Sequence, residues 1–149
     1  MYPDCDILSG KYPVQCLLKL QDVVGEDELR HPTVLDKRRL ESFFVLKDGN
    51  ATGFTMGRAS GFESFVREYD NNVIRSTSMM MAIHPYCQED GKFSAPGDSG
   101  SVVADRDGRI VGILTGGAGN EGNYDVSYAT PYYWLEERIK AAFPDSHLY

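Results

Sequence analysis

Residues 94–117, SAPGDSGSVVADRDGRIVGILTGG, decide how this chain reads. At their head, Gly97-Asp98-Ser99-Gly100 sets a hydroxyl residue between glycines. An apolar run follows at 101–105 (SVVAD), then Asp107-Gly108, then a second apolar run ending in Thr115-Gly116-Gly117. Asp-Gly supplies the positive φ angles of a tight hairpin, so the expected order is loop, strand, turn, strand. The small residues closing the second strand leave room for a ligand chain beside the serine.

Taken alone, Gly-Asp-Ser-Gly is also what an ordinary surface turn is made of. Its chemistry nevertheless matches a demanding task. A serine hydroxyl is a poor nucleophile until a base takes its proton. The tetrahedral intermediate then needs backbone N–H donors aimed at its oxyanion. Gly97 puts no Cβ in a substrate's way, and Gly100 permits close packing behind the serine.

Upstream of this segment, the pattern from Phe43 is again short strands. FFVLKDGNATGFTMGR (43–58) reads as two strands joined at Lys47–Asn50. FESFVREY (62–69) alternates loosely, Asp70-Asn71-Asn72 is a turn, and 73–83 is a strand of mixed pattern. Phe43, Phe44, Phe54, Phe62 and Phe65 read as core, or else as an apolar face for a partner. Downstream, 125–130 is one more short strand.

The period then changes. In 131–143, Trp134, Leu135, Arg138, Ile139, Ala142 and Phe143 share one helical face. Thr130 suits the N-cap, Pro131 the first helical position, and Pro144 stops the helix. This pattern predicts an all-β, six-stranded antiparallel barrel closed by a C-terminal helix, with the Trp134, Leu135, Ile139 and Phe143 face packed on it. Residues 1–42 read as an extended arm or linker: CLLKL (16–20) is a strand or docking segment, and GEDELR (25–30) one helical turn.

With 149 residues and a net charge of −7, the chain suits one domain and would repel a phosphate backbone, so no nucleic-acid partner is expected. Cys5, Cys16 and Cys87 are odd in number and widely spaced, which reads as free thiols. No basic segment followed by an apolar stretch opens the chain, and no apolar run spans a bilayer. The expectation is a cytoplasmic or other intracellular protein with no membrane partner. Asn50-Ala51-Thr52 fits the glycosylation pattern but is expected to stay unmodified there. No metal or other cofactor is expected, because the three histidines are scattered. The glycine-rich 115–123 precedes no helix and reads as a cleft loop.

The serine loop and its hairpin, GDSGS-VV-ADRDGR-IVGILTGG, resemble the active-site region of the chymotrypsin-like serine peptidases of the PA clan. Tyr128-Ala129-Thr130-Pro131 before an amphipathic helix fits the end of the same domain. VLKDGNATGFTMGRASGFESF (45–65) resembles the K-x-G-x-x-T-G-x-T-x-G strand pair of trypsin-like proteins of fungi. The resemblance covers residues 43–143. It implies a Greek-key barrel, the second of the family's two, with residues 43–149 as barrel and helix and 1–42 as inter-barrel connection.

By position it implies Ser99 as nucleophile and the N–H groups of Gly97 and Ser99 as the oxyanion hole. Thr115, Gly116 and Gly117 would pair with substrate backbone. Phe93 would lie near the base of the specificity pocket, where basic-specific members carry an aspartate. In the family the aspartate of the serine loop pairs with an ammonium freed by zymogen cleavage; here Asp98 is expected to find another partner. The family's histidine and acid come from the first barrel, and none of His31, His84 or His147 stands in a matching context. Two readings follow: a serine-type endopeptidase half that lacks the barrel bearing its base, or an inactive half-peptidase that binds peptides or proteins.

Overall fold

The computed structural model describes residues 18–33, 41–87, 91–118 and 125–148. Strand β1 (Phe43–Gly49) begins the barrel. Alternation sends Phe43, Val45 and Lys47 to the same face of it, and all three are buried. The further strands are β2 (Gly53–Asp70), β3 (Val73–Pro85), β4 (Val102–Ala104), β5 (Ile110–Ala118) and β6 (Val126–Pro131). They close in the order β1-β2-β3-β6-β5-β4, with every strand pairing antiparallel and β4 returning to β1 at Leu46↔Ala104. Three hairpin-linked strands with the fourth beside the first make a Greek key. The predicted all-β, six-stranded antiparallel barrel with a C-terminal helix is what the chain forms.

Its core holds Val45, Ile83, Phe93, Val103, Val111 and Leu114, among others, and two residues of the N-terminal segment, Val24 and Leu29. That segment is stitched to the start of β5. Val24 N–H donates to the Ile110 carbonyl (2.9 Å), and Ile110 N–H to that of Asp22 (3.0 Å). The one-turn helix α1 (Glu26–Arg30) forms as expected. Its Glu28 takes two hydrogen bonds from Arg109 (2.7 and 2.8 Å), whose Nε donates to Asp105 (2.7 Å). The expected strand or docking segment at 16–20 lies partly outside the described residues, and Leu18–Leu20 take no regular structure.

Two expected features shift. Asp48 and Gly49 belong to β1, so the β1–β2 turn is Asn50–Thr52, closed by Gly53 at φ +63°. A three-residue loop needs a left-handed residue where it rejoins the strand, and Gly53 supplies it. The two runs at 51–58 and 62–69 fuse into the single long β2, with a register shift between Ala59 and Glu63. Asn71 and Asn72, at φ 48° and 64°, make the tight turn into β3.

Beyond Glu63 and Met81 the outer halves of β2 and β3 pair with each other and with no other described strand. They stand off the barrel. Phe43 is core, but Phe54, Phe62 and Phe65 are exposed, which corrects the core reading for those three.

The helix α2 (Tyr132–Ala142) also departs from expectation. Trp134, Ile139 and Phe143 are exposed, and the side chain packed on the core is Tyr133. β6 keeps pairing through Gly112↔Pro131, so Thr130 is a strand residue and cannot cap. The chain leaves the barrel at Pro131, and that exit angle turns Tyr133 inward. Trp134 instead lies under the Arg138 guanidinium, 3.4 Å from its ring centroid. Trp134→Ala should therefore change unfolding free energy by no more than about 0.5 kcal/mol, and Tyr133→Ala should cost more than about 1 kcal/mol. Chemical denaturation of the two variants checks this.

Cys87 is buried and disulfide-bonded, its partner lying outside the described residues. The free-thiol reading is corrected for this residue. Spacing along the chain says nothing about distance in the fold.

Candidate active site

The loop between residue 93 and β4 turns on two glycines. Gly97 (φ +107°) and Gly100 (φ +91°) sit where L side chains are strained. Asp98 N–H donates to the Ala95 carbonyl (3.0 Å), and Ser101 N–H to that of Asp98 (3.0 Å). Gly100 N–H donates to the Leu114 carbonyl (2.8 Å), and Leu114 N–H to that of Ser101 (2.9 Å), which fastens the loop to β5. Ser99 at its crest is exposed. Its Oγ donates to the Thr115 carbonyl at 3.2 Å. Among the described residues, the N–H groups of Gly97 and Ser99 donate to nothing.

Beneath Ser99 the loop is held by a buried charge. Asp98 is fully buried. Its carboxylate accepts from Ala51 N–H (2.6 Å), Thr52 Oγ1 (2.7 Å), Ala95 N–H (3.0 Å) and Thr52 N–H (3.2 Å). The counter-ion is Lys47, with Nζ 3.4 Å from Oδ2 and both side chains fully buried. Lys47 also donates to Thr52 Oγ1 at 2.6 Å, so the hydroxyl stands between ammonium and carboxylate. Burial alone would raise this carboxyl's pKa. The hydrogen bonds from Thr52, Ala51 and Ala95 outweigh it and hold the pKa well below the usual carboxylate range. Gly49 makes the pair fit, because a Cβ there would run into the Asp98 carboxylate and the Lys47 ammonium. Asp98 is thus tied structurally, as expected, and its partner comes from inside the barrel.

Lys47 and Thr52 were not singled out from the sequence as site residues. The signal for Lys47 was present: it continues the buried alternation of Phe43 and Val45. A lysine on an inward face demands a buried anion. Nothing in the sequence says that the anion is Asp98.

Thr115, Gly116 and Gly117 lie on β5 beside the serine loop. Gly116 and Gly117 pair with Tyr128 and Ser127 of β6 on one side; on the other, no described strand covers them. Thr115 Oγ1 donates to the Tyr128 carbonyl at 3.0 Å. Phe93 is buried in the barrel core, its ring 5.6 Å from Lys47 Nζ. No part of that ring faces an open cleft, so any contact with a substrate side chain would need the neighbouring residues to part.

The histidines lie elsewhere. His31 follows α1, and His84 is exposed on β3 opposite Arg58. His147, near the C-terminus, has its ring nitrogen Nδ1 3.2 Å from the Asp145 carbonyl oxygen. Ser99 hydrogen-bonds to none of them. Among the described residues, no group of three His, Cys, Asp or Glu is placed to hold a metal ion.

No family model matches the chain, and neither does the sequence of any curated protein. Among solved structures, it is similar to the chymotrypsin of Cellulomonas bogoriensis, at 21% identity and a TM-score of 0.48, over 67% of this chain and 46% of that one. It is also similar to Rv3671c from M. tuberculosis H37Rv in an inactive form, at 13% identity and a TM-score of 0.45, over 79% of this chain and 56% of that one. The chain spans about half the length of each.

Proposed function

We propose that the chain carries the serine half of a serine-type endopeptidase site, with Ser99 as nucleophile and the N–H groups of Gly97 and Ser99 as its oxyanion hole. The observation that carries this reading is one loop in which an exposed serine and two uncommitted N–H donors are fixed by a buried Lys47–Asp98 pair. Donors that need no reorganisation during reaction are what a developing oxyanion requires. The substrate is a peptide or protein, lying along the uncovered edge of β5 at Thr115–Gly117. No nucleic acid, membrane or cofactor enters this reading. The base and its orienting acid come from a further barrel.

The second reading is a peptide-binding or protein-interaction module without catalysis. It is favoured by the Ser99 hydroxyl, whose hydrogen bond goes to a carbonyl and not to a base. Strand addition at the β5 edge needs no histidine.

A fluorophosphonate probe and a mixed peptide library distinguish the two. The isolated chain should label slowly at Ser99, lose that labelling in Ser99→Ala, and cleave little or no peptide. Supplying a histidine-bearing barrel should accelerate both reactions. Absence of labelling with and without that barrel, together with peptide binding that survives Ser99→Ala, would establish the binding module instead.

A further inference from the structure

The outer halves of β2 and β3 form a two-stranded ribbon whose faces differ. Phe65 pairs with Met79, Arg67 with Thr77 and Tyr69 with Ile74. Paired residues in an antiparallel ladder share a face, and alternation puts 65, 67 and 69 on the same one. All six side chains are exposed, Phe65 at 68% and Tyr69 at 61%. The opposite face carries Ser64, Val66, Ser76, Ser78 and Met80, all half-buried. Arg67 stands in the middle of the exposed face, and its guanidinium makes no ion pair or hydrogen bond among the described residues. Phenylalanine, tyrosine, methionine and arginine together are the composition of an interface core rather than of a solvated strand. The backbone edge of β2 that faces away from β3 pairs with no described strand beyond Glu63. A two-stranded hairpin is marginal in water until another layer or strand joins it, and an open edge is a template for one.

We infer that a second copy of this chain docks on the ribbon, its β2 running antiparallel along this β2 from Glu63 to Arg67. The charge register selects a second copy as the occupant. In a two-fold pairing, residue i meets j wherever j meets i. With Phe65 opposite the partner's Phe65, Glu63 falls opposite the partner's Arg67, and Arg67 opposite the partner's Glu63. Centring on Arg67 would set two cations against each other, which is destabilising. Centring on Ser64 or Val66 would leave Arg67 opposite glycine or phenylalanine. Glu63 is already oriented at the ribbon base by Arg30, 2.6 Å from its Oε1, and a carboxylate accepts further hydrogen bonds. The product is a four-stranded sheet with two Met79 and two Phe65 side chains in a row across it, flanked by two Glu63–Arg67 pairs. This dimer uses nothing of the Ser99 site and stands apart from the proposed function.

The test is the oligomeric state of the full chain. Sedimentation velocity between about 1 and 100 µM, the range for a small transient interface, should show a monomer–dimer equilibrium with dimer dominant at the upper end. Phe65→Ser should weaken it by about tenfold or more, the effect of losing a central aromatic contact. Its circular dichroism should stay as in wild type, since the side chain is exposed. The charge variants decide the register. Arg67→Glu sets carboxylates against carboxylates, and Glu63→Arg sets cations against cations, so each should be monomeric alone. Mixed one to one, they should associate, because both pairs across the interface are then of opposite sign. A monomer at every concentration, or a dimer that Phe65→Ser leaves intact, would overturn the inference. So would folded charge variants that fail to associate on mixing.

Discussion

Asp98→Asn should lower the unfolding free energy by about 3–5 kcal/mol, the cost of breaking a fully buried ion pair by removing one partner. The amide leaves the Lys47 ammonium without a counter-ion in the barrel. Its NH2 also turns a donor toward a site ringed by the N–H groups of Ala51, Thr52 and Ala95. Lys47→Met/Asp98→Asn should recover part of the loss, because removing both charges ends the uncompensated burial. The pH dependence has a defined sign. The folded carboxyl titrates below its unfolded value, so its contribution is complete above the unfolded pKa of about 3.9 and is lost as the pH falls below that. Wild type should therefore lose stability steeply below about pH 4, whereas Asp98→Asn, already destabilised, should lose less over that interval. Urea titrations from pH 7 down to pH 3 check both statements. Equal acid sensitivity in the two proteins would contradict them.

Phe93→Ala should cost about 3–5 kcal/mol, the range for truncating a buried aromatic ring. The ring is 1% exposed and sits among Ile83, Val103 and Leu114 in the core. A Cβ on Gly57 would come within 2.8 Å of it, so the barrel wall is moulded to this side chain. Its backbone is held from two sides: the carbonyl accepts from Thr55 Oγ1 (2.7 Å) and the N–H donates to Asp125 (3.1 Å). Those bonds limit collapse into the space left, which places the cost toward the upper end. The loss also removes the ring face beneath Lys47, so loop stability should fall with global stability. Thermal denaturation of Phe93→Ala and Phe93→Leu tests this. A Phe93→Ala protein as stable as wild type would show that the ring is dispensable to the fold.

Much of the fold was legible because local chemistry dictates it. Asp70-Asn71-Asn72 is a turn because asparagine tolerates the left-handed region, and Asn71 and Asn72 occupy it. Gly97 and Gly100 mark a tight loop because they sit at positive φ. GEDELR forms its single turn of helix. The helix face was not legible. The period from Trp134 to Phe143 is real, yet the barrel takes Tyr133, since the orientation of a helix is set by the strand from which it emerges. The phenylalanines of β2 misread for a related reason. Phe62 and Phe65 have the residue type of a core, but among the described residues nothing packs over their stretch of hairpin.

By itself the sequence determined the kind of elements, their order and the chemistry of one loop: strands and turns from glycine, asparagine and alternation, and a serine with room around it at Gly97-Asp98-Ser99-Gly100. Only the tertiary structure decided what holds that loop. Lys47 and Asp98 are 51 positions apart in numbering, and no periodicity connects them. Barrel closure brings the β1–β2 turn against the serine loop, and the two charges meet with both side chains fully buried. Local sequence encodes backbone conformation; the pairing of buried charges is set by the path of the whole chain, since desolvation penalises every arrangement but the one in which each finds the other.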